Sequence, residues 1–375
     1  MIMPLKHLYI IGNGFDRYHG AELGYLDFRK YLYKRAPEVE ACFDLYFGPK
    51  SLRRSFVHED GWWDCYQTAL LGRQDAYYRY PRTTWSWSNL WCDFEKYLSE
   101  LNREKIFDVL DLRMPSVDEG ERGFRYSDYY IGPDEISSMV WNCTERMKYH
   151  FHKWVNTLHY AKGFKKRMIP IRTDAMFLNF NYTTFLESEY GVPHDSILYI
   201  HGCRKDKLGS LVLGHNGNDG ELFDRWYHKN KNRKRYRAVQ KDKRGRFFLN
   251  DKLVYLAYFL EDETKGNWRL TTRYYIVQEA VERFESYYES NYKDASLIIK
   301  QHNDFFESLG NIECVEVLGH SLSDVDMPYY DRIKLSLPSN VVWLFSCHSE
   351  RDLSQIRRFC MRMNIKDTHY KIREW

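Results

Sequence analysis

The chain has 375 residues, enough to bury a substantial core in one large domain or in two to three smaller ones. Its 56 basic and 52 acidic residues give a net charge of +4, which by itself is too mild to indicate a nucleic-acid-binding protein. Its eight cysteines never fall as C-x-x-C, and no apolar stretch approaches the roughly 18 residues that span a bilayer, so we expect a cytosolic protein without a structural zinc site or a disulfide framework.

Short apolar runs that each end in a polar loop predict strands buried on both faces, as in a parallel sheet. In chain order the predicted strands are His7–Ile11, Met176–Leu178, Ile197–Ile200, Leu211–Leu213, Val315–Leu318 and Val341–Phe345. We therefore expect an α/β fold, a Rossmann-like and mostly parallel sheet flanked by helices. In such sheets the ligand lies beyond the carboxyl ends of the strands, which places the expected site in these loops.

Apolar periodicity predicts the helices between the strands. They are Tyr25–Tyr33, a helix with Leu90, Phe94, Leu98 and Leu101 on its apolar stripe, Asp134–His159 with Asp134 as its N-cap, a helical region over Thr272–Leu309, and Glu350–Met363. The strands are thus separated by two large insertions. We expect an α/β core from residues 1–36, 171–223 and 310–375, a helical lid from 37–170, and a basic and helical insertion from 224–309.

The run from Lys229 to Arg246 holds ten basic residues and one acid, Asp242. Such a run can contact the phosphates of a nucleic acid. Because it lacks regular aromatic interleaving, we interpret it as the solvated face of an insertion and keep nucleic-acid binding as the alternative.

The first predicted strand ends in the loop Gly12–Asp16. Glycines between a strand and a helix allow positive φ and let a phosphate approach backbone amides. The dinucleotide fingerprint is incomplete, because Arg17 stands where its third glycine would be, so a structural tight turn is an equal interpretation. A carboxylate repels phosphate, and Asp16 is therefore better suited to accept from ribose hydroxyls or to orient a histidine.

Three histidines, His201, His215 and His320, follow predicted strands. A histidine there can act as a general base, because its unperturbed pKa of about 6.5 lies near neutral pH. Each alone also fits a ring that donates to a backbone carbonyl, but the repeated placement favours a site. No carboxylate pattern flanks the rings, which makes a metal centre the weaker interpretation.

Amides and a second glycine loop occupy two further strand ends. Asn179 and Asn181 lie two residues apart and point the same way if the segment is extended, where an amide can accept from ribose hydroxyls or orient water. Turn formation is the alternative. In the loop Gly319–Asp326 the glycine permits close ligand contact, and Ser323 or Asp324 can cap a helix.

These segments resemble a known family. The opening Ile10–Asp16 with His19-Gly20 and Tyr25–Phe28, and the later blocks Trp91–Glu95 and Gly319–Asp326, resemble the bacteriophage abortive-infection AbiH family. The resemblance covers nearly the whole chain and implies a bacterial antiviral effector that acts by abortive infection.

That family is similar, more distantly, to sirtuin-like NAD-binding domains. Gly12–Asp16 resembles their first glycine loop, Asn181 the asparagine of their T-x-N-x-D motif, His201-Gly202 their catalytic pair, and Gly319–Leu322 their ribose loop. Thr183 replaces the motif's aspartate, Asp16 replaces the serine of the glycine loop, and the paired C-x-x-C zinc ribbon is missing. The missing ribbon argues against protein deacetylation. Sirtuin-like domains in antiviral systems are often NAD glycohydrolases, and the resemblance therefore implies hydrolysis of NAD.

The resemblance implies that NAD is the substrate, cleaved to nicotinamide and ADP-ribose without a metal. The implied catalytic residues are His201, Asn181 and Asp16. The implied NAD-binding residues are Gly12, Asn13, Gly14, Phe15, Gly202, Gly319, His320, Ser321, Leu322 and Asp324. A phage trigger and a homo-oligomer fit this reading, and no membrane partner is expected.

Two alternatives stay open. One is a metal-dependent nucleotide or nucleic-acid phosphohydrolase that uses His201, His215, His320 and Asp326. The other is a non-catalytic nucleotide-binding sensor that acts through a partner. Because positions 16 and 183 depart from the sirtuin-like motif, a nucleotide related to NAD also remains an alternative substrate.

Overall fold

The computed structural model describes residues 6–47, 94–99, 101, 106, 109–110, 113, 125–215, 239–241, 243–249 and 268–374. By its internal contacts the chain divides into two compact units. Unit 1 comprises Met1–Phe28, Lys148–Asn216 and Lys293–Trp375, and unit 2 comprises Arg29–Met147 and Gly217–Tyr292. No helix in the described ranges is both long enough and apolar enough to cross a membrane.

The described strands, in chain order, are β1 (His7–Ile11), β2 (Met176–Asn179), β3 (Ile197–Tyr199), β4 (Val239–Lys241), β5 (Phe247–Leu249), β6 (Cys314–Leu318), β7 (Val342–Cys347) and β8 (Tyr370–Glu374). The described α-helices are α1 (Asn13–Tyr18), α2 (Tyr25–Arg35), α3 (Pro37–Tyr46), α4 (Phe94–Leu98), α5 (Ile131–Trp141), α6 (Met147–Thr157), α7 (Phe185–Ser188), α8 (Trp268–Ser290), α9 (Ala295–Gln301), α10 (Asn303–Glu307), α11 (Met327–Ser336) and α12 (Glu350–Arg362).

Within the described residues, unit 1 holds one parallel sheet of six strands in the order β3-β2-β1-β6-β7-β8. If the six strands of this sheet are renumbered 1 to 6 in chain order, their spatial order is 3-2-1-4-5-6, which is that of the Rossmann fold. The strand order reverses between β1 and β6, where Ile11 pairs with Leu318. The predicted α/β class is confirmed, and the switch point between β1 and β6 is the place where sheets of this kind bind ligands. In unit 2, β4 and β5 form an antiparallel ribbon.

Alternate residues of β1 supply the two faces of this sheet. Leu8 and Ile10 are fully buried in a core cluster with residues of α9, α11 and α12. Tyr9 and Ile11 point to the opposite face and pack with residues of α1 and α7. Full burial of such side chains contributes about 1.5–3 kcal/mol each, so β1 is stabilised from both faces.

The loops that follow β1 and β6 are in direct backbone contact. The N–H of Gly12 donates to the Leu318 carbonyl at 3.0 Å, and the N–H of Gly14 donates to the Gly319 carbonyl at 2.7 Å. Gly319 has a φ of +64°, and a Cβ at this position would lie 2.1 Å from the Phe15 nitrogen. The glycines are therefore required by the close approach of the two loops.

The prediction was wrong for the run Leu211–Leu213, which is not a strand. Its leucines are buried, which explains the apolar pattern. However, the Val212 N–H donates to the His201 carbonyl at 2.9 Å, and the Tyr182 hydroxyl donates to the Val212 carbonyl at 2.8 Å. Both hydrogen bonds join the run to loop residues and not to a neighbouring strand. The sixth strand is instead β8, an edge strand whose charged side chains gave no apolar signal.

The predicted helices were confirmed in part. Glu350–Met363 corresponds to α12, and Tyr25–Tyr33 to α2, while α1 lies where a loop was expected. The predicted helix Asp134–His159 begins earlier, at Ile131, and runs through a π-helical turn into α6. Asp134 is therefore not its N-cap, and its carboxylate binds Arg283.

The region Thr272–Leu309 is broken into four pieces. The long helix α8 ends at Ser290, and Asp294 caps α9 by accepting from the Leu297 N–H at 2.9 Å. Helix α10 and a 3₁₀ turn complete the region. Leu90, Trp91–Asp93 and, in the basic run, residues 229–238 and 242 lie outside the described residues.

The loop contact predicts that Gly319→Ala is strongly destabilising. An alanine in this left-handed backbone conformation costs about 1 kcal/mol. The clash of its Cβ with α1 costs about 1–3 kcal/mol more. Gly191→Ala is the matched control, because Gly191 also has positive φ (+68°) but no atom lies within 4 Å of its added Cβ. Chemical denaturation should show the larger loss for Gly319→Ala. Equal losses would mean that the two loops separate easily.

Candidate functional site

Asp16 lies in α1, directly after the glycine loop, and is only 1% exposed. Its Oδ1 accepts from the Tyr160 hydroxyl at 3.0 Å, and its Oδ2 accepts from the Thr183 hydroxyl at 2.5 Å. Burial raises the pKa of Asp16 to about 6, although these two hydrogen bonds act in the opposite direction. At neutral pH the site therefore holds an ionised carboxylate in a largely dry environment.

His19 supports this carboxylate indirectly. Its Nδ1 lies 2.7 Å from the Phe15 carbonyl, which can only accept, so Nδ1 carries the proton. Its Nε2 then accepts from the Tyr190 hydroxyl at 2.6 Å. The ring stacks on Tyr160 with centroids 4.8 Å apart, which fixes the tyrosine that donates to Asp16. Tyr160 and Tyr190 were not predicted as site residues.

Asn181 follows β2 and is 1% exposed. Its side-chain nitrogen donates to the Gly12 carbonyl at 3.1 Å, and its backbone N–H donates to Oδ1 of Asn179 at 3.0 Å. The Oδ1 atom of Asn181 is buried and has no hydrogen-bond partner among the described residues. The glycine loop thus holds the side-chain amide through its nitrogen, and the acceptor Oδ1 remains without a donor among the described residues.

His201 follows β3 and Ile200, and it is 4% exposed. Its ring makes a hydrogen bond with the Phe180 carbonyl, while its Nε2 has no partner in the described part of the chain. The donor to the carbonyl is therefore Nδ1–H, and Nε2 carries a lone pair. Burial lowers the pKa of His201 well below its usual value, and the charge of Lys293 lowers it further. The ring is neutral at physiological pH.

His320 follows Gly319 in the loop after β6. Its Nδ1 accepts from the Leu322 N–H at 2.9 Å, so its Nε2 carries the proton and faces Oδ2 of Asp326 at 3.5 Å. Burial lowers the pKa of His320 to about 4. With both ring nitrogens engaged, His320 fixes the loop, and this engagement opposes its use as a metal ligand.

The rings of His201 and His320 both contact Phe180, at centroid distances of 5.4 and 4.4 Å. Since Asn181 follows Phe180 directly, the loop after β2 joins both histidines to the glycine loop. Among the described residues, no group of three or more histidine, cysteine, aspartate or glutamate side chains is arranged to hold a metal ion.

The other predicted site residues are placed as follows. Gly12, Gly14 and Phe15 pack against the loop of Gly319, and Asn13 is exposed. Gly202 has a φ of +79° beside Asp206, and Leu322 has a φ of +53°. Ser321 is exposed, and Asp324 is directed to the surface, where it binds Arg362 at 3.0 Å. His215 is buried, and its carbonyl accepts from the Lys293 N–H at 2.7 Å.

The arrangement offers a ligand two buried acceptors, Oδ1 of Asn181 and Nε2 of His201. A buried acceptor without a donor is costly, by about 1–3 kcal/mol. A ligand that supplies hydroxyl or water donors removes this cost, whereas a phosphate oxygen supplies another acceptor. These two acceptors can therefore accept hydrogen bonds from hydroxyl or water donors.

The chain matches the protein family described as bacteriophage abortive infection AbiH over residues 8–347. No curated protein and no solved structure matches it.

The buried carboxylate predicts a specific pH dependence. Because the pKa of Asp16 is about 6 in the folded chain and about 3.8 when the carboxyl is fully solvated, as in the unfolded chain, the folded state holds the proton more tightly between these pH values. Its contribution to stability is therefore lost as pH rises from about 4 to 6, by about 3 kcal/mol in total. Relative to the wild-type chain, Asp16→Asn should gain this amount over the same interval.

The measurement is the free energy of unfolding of both chains from pH 4 to 7. Asp174→Asn is the control, because Asp174 is an exposed carboxylate bound to Arg172. It should show no such gain. A difference between Asp16→Asn and wild type that stays flat across this range would contradict the assignment of a buried, ionising carboxylate.

Proposed function

The chain belongs to the bacteriophage abortive infection AbiH family, and we propose that it serves this role by hydrolysing NAD to nicotinamide and ADP-ribose. The observation that carries the proposal is the pair of buried acceptors without partners among the described residues, Oδ1 of Asn181 and Nε2 of His201. Both follow strands at the carboxyl edge of the sheet, on the β2–β3 side of the switch point.

The acceptor character of this pair favours attack at a sugar carbon over attack at a phosphorus. Ribose hydroxyls and an attacking water are donors and match Asn181 and His201. A phosphohydrolase instead needs cations or backbone donors around its phosphate. The engaged nitrogens of His320 also weaken the metal-dependent alternative.

The two positions that depart from the sirtuin-like motif contact each other in the structure. The motif has a serine in the glycine loop and an aspartate after the asparagine, whereas this chain has Asp16 and Thr183. In the structure the Thr183 hydroxyl donates to the Asp16 carboxylate. The two departing positions thus form a carboxylate–hydroxyl pair that joins the glycine loop to the loop after β2.

The reaction breaks the bond between C1′ of the ribose and the pyridinium nitrogen. The bonding electrons leave with nicotinamide, which departs as a neutral molecule, and the water oxygen bonds to C1′. Nε2 of His201 accepts the proton that the water loses and returns it to solvent. The ribose carbon carries positive charge in the transition state, and the nearby Asp16 carboxylate stabilises it.

Asn181 orients the water or a ribose hydroxyl through Oδ1, because its nitrogen is already bound to the Gly12 carbonyl. The glycines of the two loops pack against each other, so the proposal does not depend on them as a phosphate cradle. The helical lid predicted over residues 37–170 stays a prediction.

The proposal predicts that purified protein releases nicotinamide from NAD and that this release resists EDTA. His201→Gln and Asn181→Ala should each lower the rate by about 10²-fold or more, the usual contribution of a general base or an oriented donor–acceptor pair. His194→Ala is the matched control: His194 is an exposed histidine of unit 1 that lies 3.2 Å from Glu187, and it should retain wild-type activity.

Nicotinamide is quantified by chromatography, with circular dichroism of each variant to establish that it folds. The same variants are then tested for protection of cells against phage, where loss of activity and loss of protection should coincide. Protection that survives in His201→Gln would favour the sensor alternative. Release that EDTA abolishes would favour the metal-dependent one, and NAD that stays intact in infected cells would overturn the proposal.

A further inference from the structure

Lys293 is a buried lysine that none of the assigned roles uses. It is 2% exposed, and its Nζ donates to Oδ1 of Asp326 at 2.9 Å. Its backbone N–H donates to the His215 carbonyl at 2.7 Å, so the residue is fixed at both ends. A buried ammonium is costly unless it is well paired, and a purely structural contact here could be made by apolar side chains.

Asp326 connects this lysine to the loop that follows β6. Its Oδ2 accepts from the Ser323 hydroxyl at 3.0 Å and faces Nε2 of His320 at 3.5 Å. His320 in turn accepts from the Leu322 N–H. Leu322 has a φ of +53°, a conformation that side chains disfavour and that persists only where the surroundings hold it. The ion pair is the buried end of this chain of contacts.

Lys293 also lies close to the proposed base. Lys293 and His201 both contact the Tyr329 ring, with Nζ 5.8 Å and the imidazole centroid 5.7 Å from the ring centroid. The charged and titratable groups that act on His201 are Lys293, Asp326 and His320. After burial, the charge of Lys293 is the largest influence that lowers the pKa of His201, and Asp326 acts in the opposite direction.

We propose that Lys293 is a positioning residue of this site: its ion pair with Asp326 fixes His320 and the Gly319–Ser323 loop beside His201 and leaves Nε2 of His201 available to the ligand. The role in turnover rests on the proposed NAD hydrolysis. The role in fixing the two histidines does not, and it is tested separately.

The test compares Lys293→Met, the double variant Lys293→Met/Asp326→Asn and the control Lys205→Met, which removes an exposed lysine bound to Glu187. Three quantities are measured for each variant. They are the NMR signals of the ring nitrogens of His201 and His320 as pH is varied, the thermal unfolding temperature, and the rate of nicotinamide release. Lys293→Met should unfold at a lower temperature and titrate both histidines at higher pH, because it leaves Asp326 as an unpaired negative charge.

The double variant removes both charges and should recover most of the thermal stability. Its release of nicotinamide should stay at least tenfold below wild type, and its His320 ring signals should still differ from those of wild type, because Nε2–H no longer faces a carboxylate. Lys205→Met should leave all readouts unchanged. Recovery of wild-type histidine spectra in the double variant would show that the pair is only structural and would overturn the proposal. If the wild-type chain releases no nicotinamide, NAD hydrolysis fails while the spectra still decide the role of Lys293.

Discussion

The site in unit 1 depends on the backbone contact between the loops after β1 and β6. In a sheet with this strand order, β1 and β6 are neighbours whose connections leave in opposite directions, and an opening remains between them. Here Gly14 and Gly319 fill that opening with backbone. Asn181 and His201, whose acceptors have no partner in the described part of the chain, follow the strands β2 and β3 beside this opening.

Three of the polar side chains lie in or beside these loops or are held by one of them. Asn181 donates to the Gly12 carbonyl, and Asp16 sits in the first helix after the glycine loop, where Thr183 reaches it. His320 is held by the loop after β6 and touches the ring of Phe180, the residue before Asn181. The contact between the two loops therefore bears on the positions of Asn181, Asp16 and His320, whereas His201 is held by the Phe180 carbonyl.

The sequence predicts the parts of this arrangement that depend on local pattern. Strands buried on both faces appear as continuous apolar runs, and the residues at their ends could be named as site residues. Tertiary contacts explain the rest. The run Leu211–Leu213 is apolar because it is buried beneath loops, while β8 is an edge strand with charged side chains. Tyr160 contacts Asp16 across 144 positions and Lys293 contacts Asp326 across 33, so spacing gives no sign of either.

The buried polar groups of unit 1 also bear on whether the site is functional. A sheet core gains stability from apolar side chains, yet this one holds an ionised carboxylate at Asp16 and an ion pair at Lys293, together with an acceptor at His201 that has no partner in the described chain. Each of these costs free energy that leucine or valine would not. They lie at the carboxyl edge of the sheet, where the fold places ligands, and not in the apolar clusters beneath it. Of these groups, the Nε2 acceptor of His201 is the one that the described part of the protein leaves unpaired, and a ligand that donates a hydrogen bond to it would remove that cost.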